Sequence, residues 1–468
     1  MSTASKRSTG AALDLAELAA GFEGTLLEPG VAGFDEARAL GYARVDRRPA
    51  VIARCMSQQD VAAAIGLARG HELPLAVKGG GHGPLGHAVC DGGVTIDLAP
   101  MKAVEVDPAG RSARVAGGVT CGELDRETQA FALAVTLARV SSVGVAGLTL
   151  GSGSGWIDRR YGLSTDSLVS AQVVTADGSV VTASEDENAD LFWGLRGGGG
   201  NFGVVTRLDF RLHAVGPVVL GGMLLYPGER AAEVMRRWRD FSDAAPDELG
   251  GAFALITAPP ELFVPDELKG KPAAAIVVVY AGPVEEGERA VAPLVDATRP
   301  AVNMVAPMPY TAVQSMIDAA AAPGRLNHWR SGALGELSDD AIQTILEHAG
   351  RIRSPFSRVM LETKGGAVAR VPDERTAITA RDAAYSFQAI AAWVEPAESD
   401  EHVAWADELA AAMEPFELLG LPLNFSSRDD EDAVRHTYGR KYERLQRLKS
   451  VWDPDNVFRH NANIRPSR

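Results

Sequence analysis

A chain of 468 residues is too long for one ordinary core and predicts two domains. Its 46% hydrophobic and 23% charged residues are the balance of a soluble globular protein, with no apolar run long enough for a transmembrane helix. A net charge of −15 excludes nucleic acid as a natural partner, and three cysteines without metal-ligand spacing predict neither a disulfide framework nor a metal site. The polar start Met1–Gly10 reads as a loose lead-in, and Ala11–Ala20, broken by Asp14 and Glu17, as a short helix rather than a signal-peptide core. A cytoplasmic protein is expected. Residues 47–213 read as an α/β region. Asp60 is expected to cap a helix over Val61–Arg69, and Pro74 to open a strand at Leu75–Val77. Strands are predicted at Val94–Leu98 and Ala113–Ala116, and a helix at Cys121–Leu133. Leu168–Thr175 and Ser179–Thr182 flank the turn Ala176-Asp177-Gly178 as a hairpin. After Pro217 the composition changes. From Gly221 to about Gly420, β-branched runs such as Ala275–Tyr280 alternate with amphipathic helices such as Arg230–Phe241 and Asp339–Ala349. The stretch Tyr442–Arg465 is a helix leading into Asp453-Pro454-Asp455-Asn456.

Glycines cluster in three loops of the first region. They are Lys78-Gly79-Gly80-Gly81-His82-Gly83-Pro84-Leu85-Gly86-His87, then Gly144 to Gly155, then Gly197 to Gly203. Without a Cβ, backbone N–H groups can converge on an anion such as a pyrophosphate. No loop ends in the Gly-Lys-Ser/Thr of a phosphate loop, and Gly151-Ser152-Gly153-Ser154-Gly155 lacks the Rossmann spacing. One such loop could be a tight turn and nothing more. Three in one α/β region, each beside a strand, point to a large ligand with several polar groups.

Four stretches carry a resemblance: Val77–His82, Gly144–Gly151, Trp193–Thr206, and the closing Asp453–Phe458 with Asn461-Ala462-Asn463-Ile464. Together they resemble the berberine-bridge-enzyme-like flavoproteins of the vanillyl-alcohol oxidase superfamily, over nearly the whole chain from about Phe34 to Pro466. The resemblance implies an α+β fold. An FAD-binding domain in two parts, 1–215 and 421–468, would enclose a substrate domain, 216–420, with an antiparallel sheet backed by helices. It implies FAD, a small-molecule substrate and molecular oxygen as partners, and oxidase activity giving hydrogen peroxide. A dehydrogenase with another acceptor, and a flavin-holding binding protein without catalysis, are the alternatives. The first loop, with Lys78, Gly79, Gly80, Gly81, Gly83, Gly86 and His87, would wrap the pyrophosphate. His82 would be joined to the 8-methyl carbon of the flavin. Ser141, Val143, Gly144, Gly147, Leu148, Gly151 and Gly153 would run beside the flavin, and Val205 would meet the adenosine end. Asn461 and Asn463 would hold the flavin edge or the ribityl chain.

Departures from the family pattern shape further expectations. Val140 stands where many relatives carry a cysteine bonded to flavin, so a single covalent link is expected. Val143 is similar to a small gatekeeper that leaves room for oxygen. Lys78 replaces an arginine, keeping charge without the bidentate fork. Two familiar tyrosines are replaced by Pro422 and His328, which implies a reshaped active site. His328 is the preferred general base, because imidazole titrates near neutral pH; the alternative is a histidine that only bonds a neighbour. Asn424 would orient substrate or flavin, and Tyr226, Tyr280 and Tyr310 are weaker candidates.

Overall fold

The structure is a computed structural model that describes residue 15 and residues 19–420, 422–425 and 428–467. The helix expected at Ala11–Ala20 lies largely outside the described residues. Two sheets build the first region. One holds β1 (Thr25–Leu27), β2 (Val51–Arg54), β3 (Leu75–Lys78) and β4 (Val94–Asp97) in the order β1-β2-β4-β3, with β2, β4 and β3 parallel. The helix Gln58–Gly70 packs Val61, Ala64, Ile65 and Ala68 against it. Its cap is Ser57, whose hydroxyl accepts from the Asp60 amide, and not Asp60 as expected. The Asp60 carboxylate instead accepts from the backbone of Glu23, Gly24 and Met56.

The second sheet is antiparallel, with β5 (Val104–Asp107), β6 (Ser112–Ala116), β8 (Leu168–Val174), β9 (Val180–Ser184) and β10 (Val204–Arg211) in the order β5-β6-β10-β8-β9. β8 and β9 form the expected hairpin. The helix Cys121–Gln129 ends sooner than expected, because β7 (Leu133–Ala134) pairs with β11 (His213–Ala214).

The remaining strands form one antiparallel sheet, β15-β12-β14-β13-β18-β19-β17, with β16 added on β12. These are β12 (Val218–Pro227), β13 (Leu249–Thr257), β14 (Pro272–Tyr280), β15 (Val302–Asn303), β16 (Ala306–Pro309), β17 (Leu326–Leu334), β18 (Arg358–Thr363) and β19 (Tyr385–Trp393). Alternation along the strands assigns each residue a face. Phe387, Ala389, Ala391, Val359, Leu361 and Leu334 meet Trp238, Ile342, Ile345, Trp405 and Leu409 from the covering helices Ala231–Asp243, Asp339–Ala349 and Ser399–Met413. The opposite face looks toward the glycine loops. The chain then returns: Tyr442, Leu445, Leu448, Ala462 and Ile464 share one core with Val115, Phe202 and Phe210. No helix of the described residues is long and apolar enough to cross a membrane.

Candidate active site

The first two glycine loops touch backbone to backbone. A Cβ on Gly80 would lie 2.2 Å from the Gly144 amide nitrogen, so neither position has room for a side chain. Gly81 has φ +71°, a left-handed conformation that favours glycine. Between these loops, the third loop and the large sheet lies a cavity of about 400 Å³. Its wall includes Gly79, Gly80, Gly81, His82, Gly83 and His87 from the first loop, and Val143, Gly144, Gly147 and Leu148 from the second. Gly199, Gly200, Gly203 and Val205 come from the third, and Asn461 from the returning tail. A Cβ on Gly83, Gly147 or Gly200 would meet nothing within 4 Å, so open space lies directly against the backbone there.

His82 lies at the junction of the loops. Its Nε2 is 2.9 Å from the Ser142 hydroxyl, its ring meets Tyr42 edge-on at 6.3 Å, and burial lowers its pKa against the opposing pull of Asp318. His87 bonds Asp429 at 2.7 Å through Nε2 and meets the ring of His460 at 5.7 Å. Asn424 lines the cavity and bonds the second loop through both ends of its amide. Its Oδ1 accepts from the Ser152 hydroxyl at 2.6 Å and the Gly153 amide at 3.3 Å, and its Nδ2 donates to the Gly147 carbonyl at 3.3 Å. It braces the second loop, and it sits on a 3-10 turn, Leu423–Phe425.

Several expected residues sit elsewhere. Strand alternation puts Leu75 and Val77 in the cavity wall and turns Lys78 out of it, where its ammonium donates to the carbonyls of Ala37 and Ala39. Gly86, with φ +67°, shapes the loop while its carbonyl accepts from Arg47 at 2.7 Å. Gly151 and Gly153 lie behind the wall, against the Asn424 amide and Ser164. The Ser141 amide and hydroxyl both donate to Asp318. Asn463 is outside the wall, although its Oδ1, like that of Asn461, is buried with no partner among the described residues.

His328 is not positioned as a base. It pairs with Ala391, a residue of the helix-covered face, so it points away from the cavity. Its Nε2 bonds Asp407 at 2.8 Å and its Nδ1 bonds Arg44 at 3.0 Å, so both nitrogens are committed. The tyrosines fare no better: Tyr226 bonds Thr298, Tyr280 bonds Glu286, and Tyr310 is buried outside the wall.

The cavity face of the large sheet carries chemistry that the sequence reading missed. Register places Trp329, Ile390 and Arg358 in one row and Ser331, Gln388 and Met360 in the next. Ala333, Ser386 and Glu362 form the third row. Glu362 is 1% exposed and lines the cavity. Its carboxylate meets Arg139 at 3.1 Å and Lys364 at 2.8 Å and accepts from the Ser386 hydroxyl at 3.1 Å. Burial pushes its pKa up, but Arg139 and Lys364 outweigh that and hold it at about 2. Lys364 also reaches Ser154 at 2.5 Å and Asp158 at 3.3 Å. The signal for this cluster was the pair Glu362 and Lys364, opposite charges two apart and hence on one face of a strand.

Converging glycine backbones, partnerless buried amide oxygens and a long cavity ending at a charged wall suit a flavin dinucleotide, and fold and site define an FAD-binding oxidoreductase. Residues 49–184 match the FAD binding domain family and residues 423–465 match the family described as berberine and berberine like. The (R)-6-hydroxynicotine oxidase of Paenarthrobacter nicotinovorans is 31% identical over 455 residues, covering 95% of this chain and 97% of that protein. An uncharacterized FAD-linked oxidoreductase of Bacillus subtilis (strain 168) is 30% identical, covering 93% and 95%. The crystal structure of 6-hydroxy-D-nicotine oxidase from Arthrobacter nicotinovorans superposes with a TM-score of 0.86 at 30% identity, covering 95% of this chain and 98% of that one. The chain belongs to the berberine-bridge-enzyme-like family of FAD-linked oxidoreductases, and its cofactor is FAD. The expected fold class, a two-part FAD-binding architecture with an antiparallel sheet backed by helices, is the observed one.

Proposed function

We propose that this chain is an oxidase acting on a small organic alcohol, amine or secondary-metabolite intermediate, with FAD bonded to His82 and molecular oxygen as the final oxidant. The observation that carries this reading is His82: a cavity-lining imidazole of lowered pKa, with one nitrogen paired to Ser142 and no hydrogen-bond partner for the other among the described residues. With Nε2–H donating to the Ser142 hydroxyl, Nδ1 keeps its lone pair free to bond the 8-methyl carbon. Val140 offers no nucleophile for a second bond, and Cys55, Cys90 and Cys121 are buried outside the cavity wall. Gly79 to Gly83 line the cavity where a pyrophosphate would lie, and Asn461 presents an unpartnered Oδ1.

When bound, FAD supplies the two-electron acceptor, and oxygen takes two electrons and two protons to give hydrogen peroxide. The substrate loses one hydride from carbon and one proton from the adjoining O–H or N–H. Glu362 accepts a hydrogen bond from that O–H or N–H and so orients the reacting carbon. Held at a pKa of about 2, it is an anchor and a poor store for a proton at neutral pH. That favours a substrate that gives up its proton easily, such as a neutral amine or an acidic hydroxyl. The intact charged wall favours a working enzyme over a flavin-holding binding protein. Val143 keeps a small side chain in the wall, consistent with oxygen access.

The test needs no known substrate. The holoenzyme is reduced with dithionite under nitrogen and then mixed with air-saturated buffer. Recovery of the oxidised spectrum within seconds, with one peroxide per flavin, is expected. Recovery over many minutes, with rapid recovery by a quinone, would move the assignment to a dehydrogenase.

A further inference from the structure

Resting on the reading that this cavity holds substrate beside FAD, we infer that the substrate carries a carboxylate, held by Arg358 at the end of the cavity opposite Glu362. Arg358 lines the cavity from β18. Among the described residues no carboxylate lies within ion-pair distance of it. Its bonds among the described residues are long ones from Nη1 to the Ala320 carbonyl at 3.5 Å and the Phe356 carbonyl at 3.4 Å. Among the described residues, Nε and Nη2 have no hydrogen-bond partner. Arg325, beside it and stacked on Phe356 at 4.1 Å, has no acidic partner among the described residues either. In a chain with 61 acidic against 46 basic residues, a partner would be easy to supply.

Burial lowers the Arg358 pKa to about 10, so the group is still charged at neutral pH. The other charged groups at the cavity cancel among themselves: Arg139 and Lys364 face Glu362 and Asp158. Among the described residues that line the cavity, Arg358 is an arginine without a carboxylate partner. Arg358 is part-buried at the cavity wall, where water screens it poorly, so an anion entering there gains a charge-assisted bond.

The groups around Arg358 are donors as well. Trp329 Nε1 and Gln388 Nε2 are buried without partners, and Tyr42, packed on Trp329 at 5.9 Å, shows no bond from its hydroxyl among the described residues. Arg358, Trp329 Nε1, Gln388 Nε2 and the Tyr42 hydroxyl are four groups able to donate, which suits a carboxylate, whose two oxygens accept several bonds. Between the two ends, Met360 and Ile390 give the wall an apolar stretch. Arg358 and Glu362 are four residues apart on one strand, about 13 Å. The substrate is thus a hydroxy or amino acid in the broad sense, with roughly a ring's length of apolar body between its carboxylate and the oxidised carbon.

The test titrates FAD-loaded protein with phenylacetate and 3-phenylpropionate, and with the matching amides, reading the shift of the flavin's visible band. Each acid should bind at least about tenfold more tightly than its amide, as expected for a charge-assisted bond. R358M should erase the preference, and R358K should keep most of it. Amides that bind as tightly as acids would overturn the proposal. So would acids that fail to bind at all, or a preference that survives in R358M. Loss of flavin from a folded R358M would assign the arginine to the cofactor and overturn it too. The acid-to-amide ratio of the wild type and the R358K result stand even if R358M does not fold. A wild-type chain that takes up no flavin would instead sink the cofactor reading, and is seen before any ligand is added.

Discussion

Under the proposed function, Glu362 is the residue that orients the substrate. E362Q keeps the shape but loses the anion that orients the substrate's donor, so kcat/KM should fall by about 100-fold with the flavin spectrum unchanged, the order of loss expected when a charge-assisted orienting bond is removed. A fall of less than threefold would remove Glu362 from the reaction. The same residue sets a pH dependence. Its pKa is lowered from 4.5 to about 2, so the unfolded chain binds the proton first as pH falls. Its contribution to stability is complete above pH 4.5 and disappears as pH falls toward 2. Melting curves of E362Q should flatten over that window. Asp125 has the opposite sign. Burial raises its pKa from 3.8 to about 7 against a single bond from Gln314, so the folded chain keeps a proton that the unfolded chain has released. Stability is lost as pH rises from 3.8 to 7, and D125N should remove that slope. H328A, by contrast, should leave kcat within about twofold and the pH profile unmoved, because both nitrogens face away from the cavity. A shifted profile would restore it as the base.

The element scale shows what could be read in advance. The glycine loops were legible because their demand is local: chain must approach chain or ligand, and only glycine permits it. The contact of Gly80 with Gly144 is that demand in atoms. G80A should cost about 1–3 kcal/mol and lower flavin content, because backbone rather than a flexible side chain must yield. G66A is the contrasting case. It lies within the helix Gln58–Gly70 with nothing within 4 Å of its Cβ, and alanine there should stabilise by about 0.5–1 kcal/mol. Hairpins and amphipathic helices were legible for the same local reason. Strand parity was not. Asn327-His328-Trp329-Arg330 has no apolar alternation to say which residue faces the cavity, and the register that decides it comes from β19, some 60 residues on. Arg139 joins Glu362 across more than 200 residues, and nothing in either neighbourhood announces the partnership. Lys78 followed its family position rather than its parity, and the strand turned it outward.

At the scale of the whole molecule, the tail closes the site. The Lys449 ammonium, wholly buried, donates to the carbonyls of Asn201 and Phe458 at 2.7 and 2.9 Å and to Asp453 at 2.7 Å. Asn201, on the third glycine loop, binds the Ala462 carbonyl and the Ile464 amide in return. The loop and the tail are one unit held around a buried ion pair. K449M strands Asp453 without its cation and should cost about 3–5 kcal/mol, read as a fall in Tm and in retained flavin. The central claim is that this assembled cavity holds FAD bonded to His82. The most direct measurement is the visible spectrum of pellet and supernatant after acid precipitation of the wild type and of H82A. Yellow colour that stays with the wild-type pellet and is absent from the H82A pellet is the predicted result. Yellow released into the wild-type supernatant, or kept in the H82A pellet, would contradict the bond to His82.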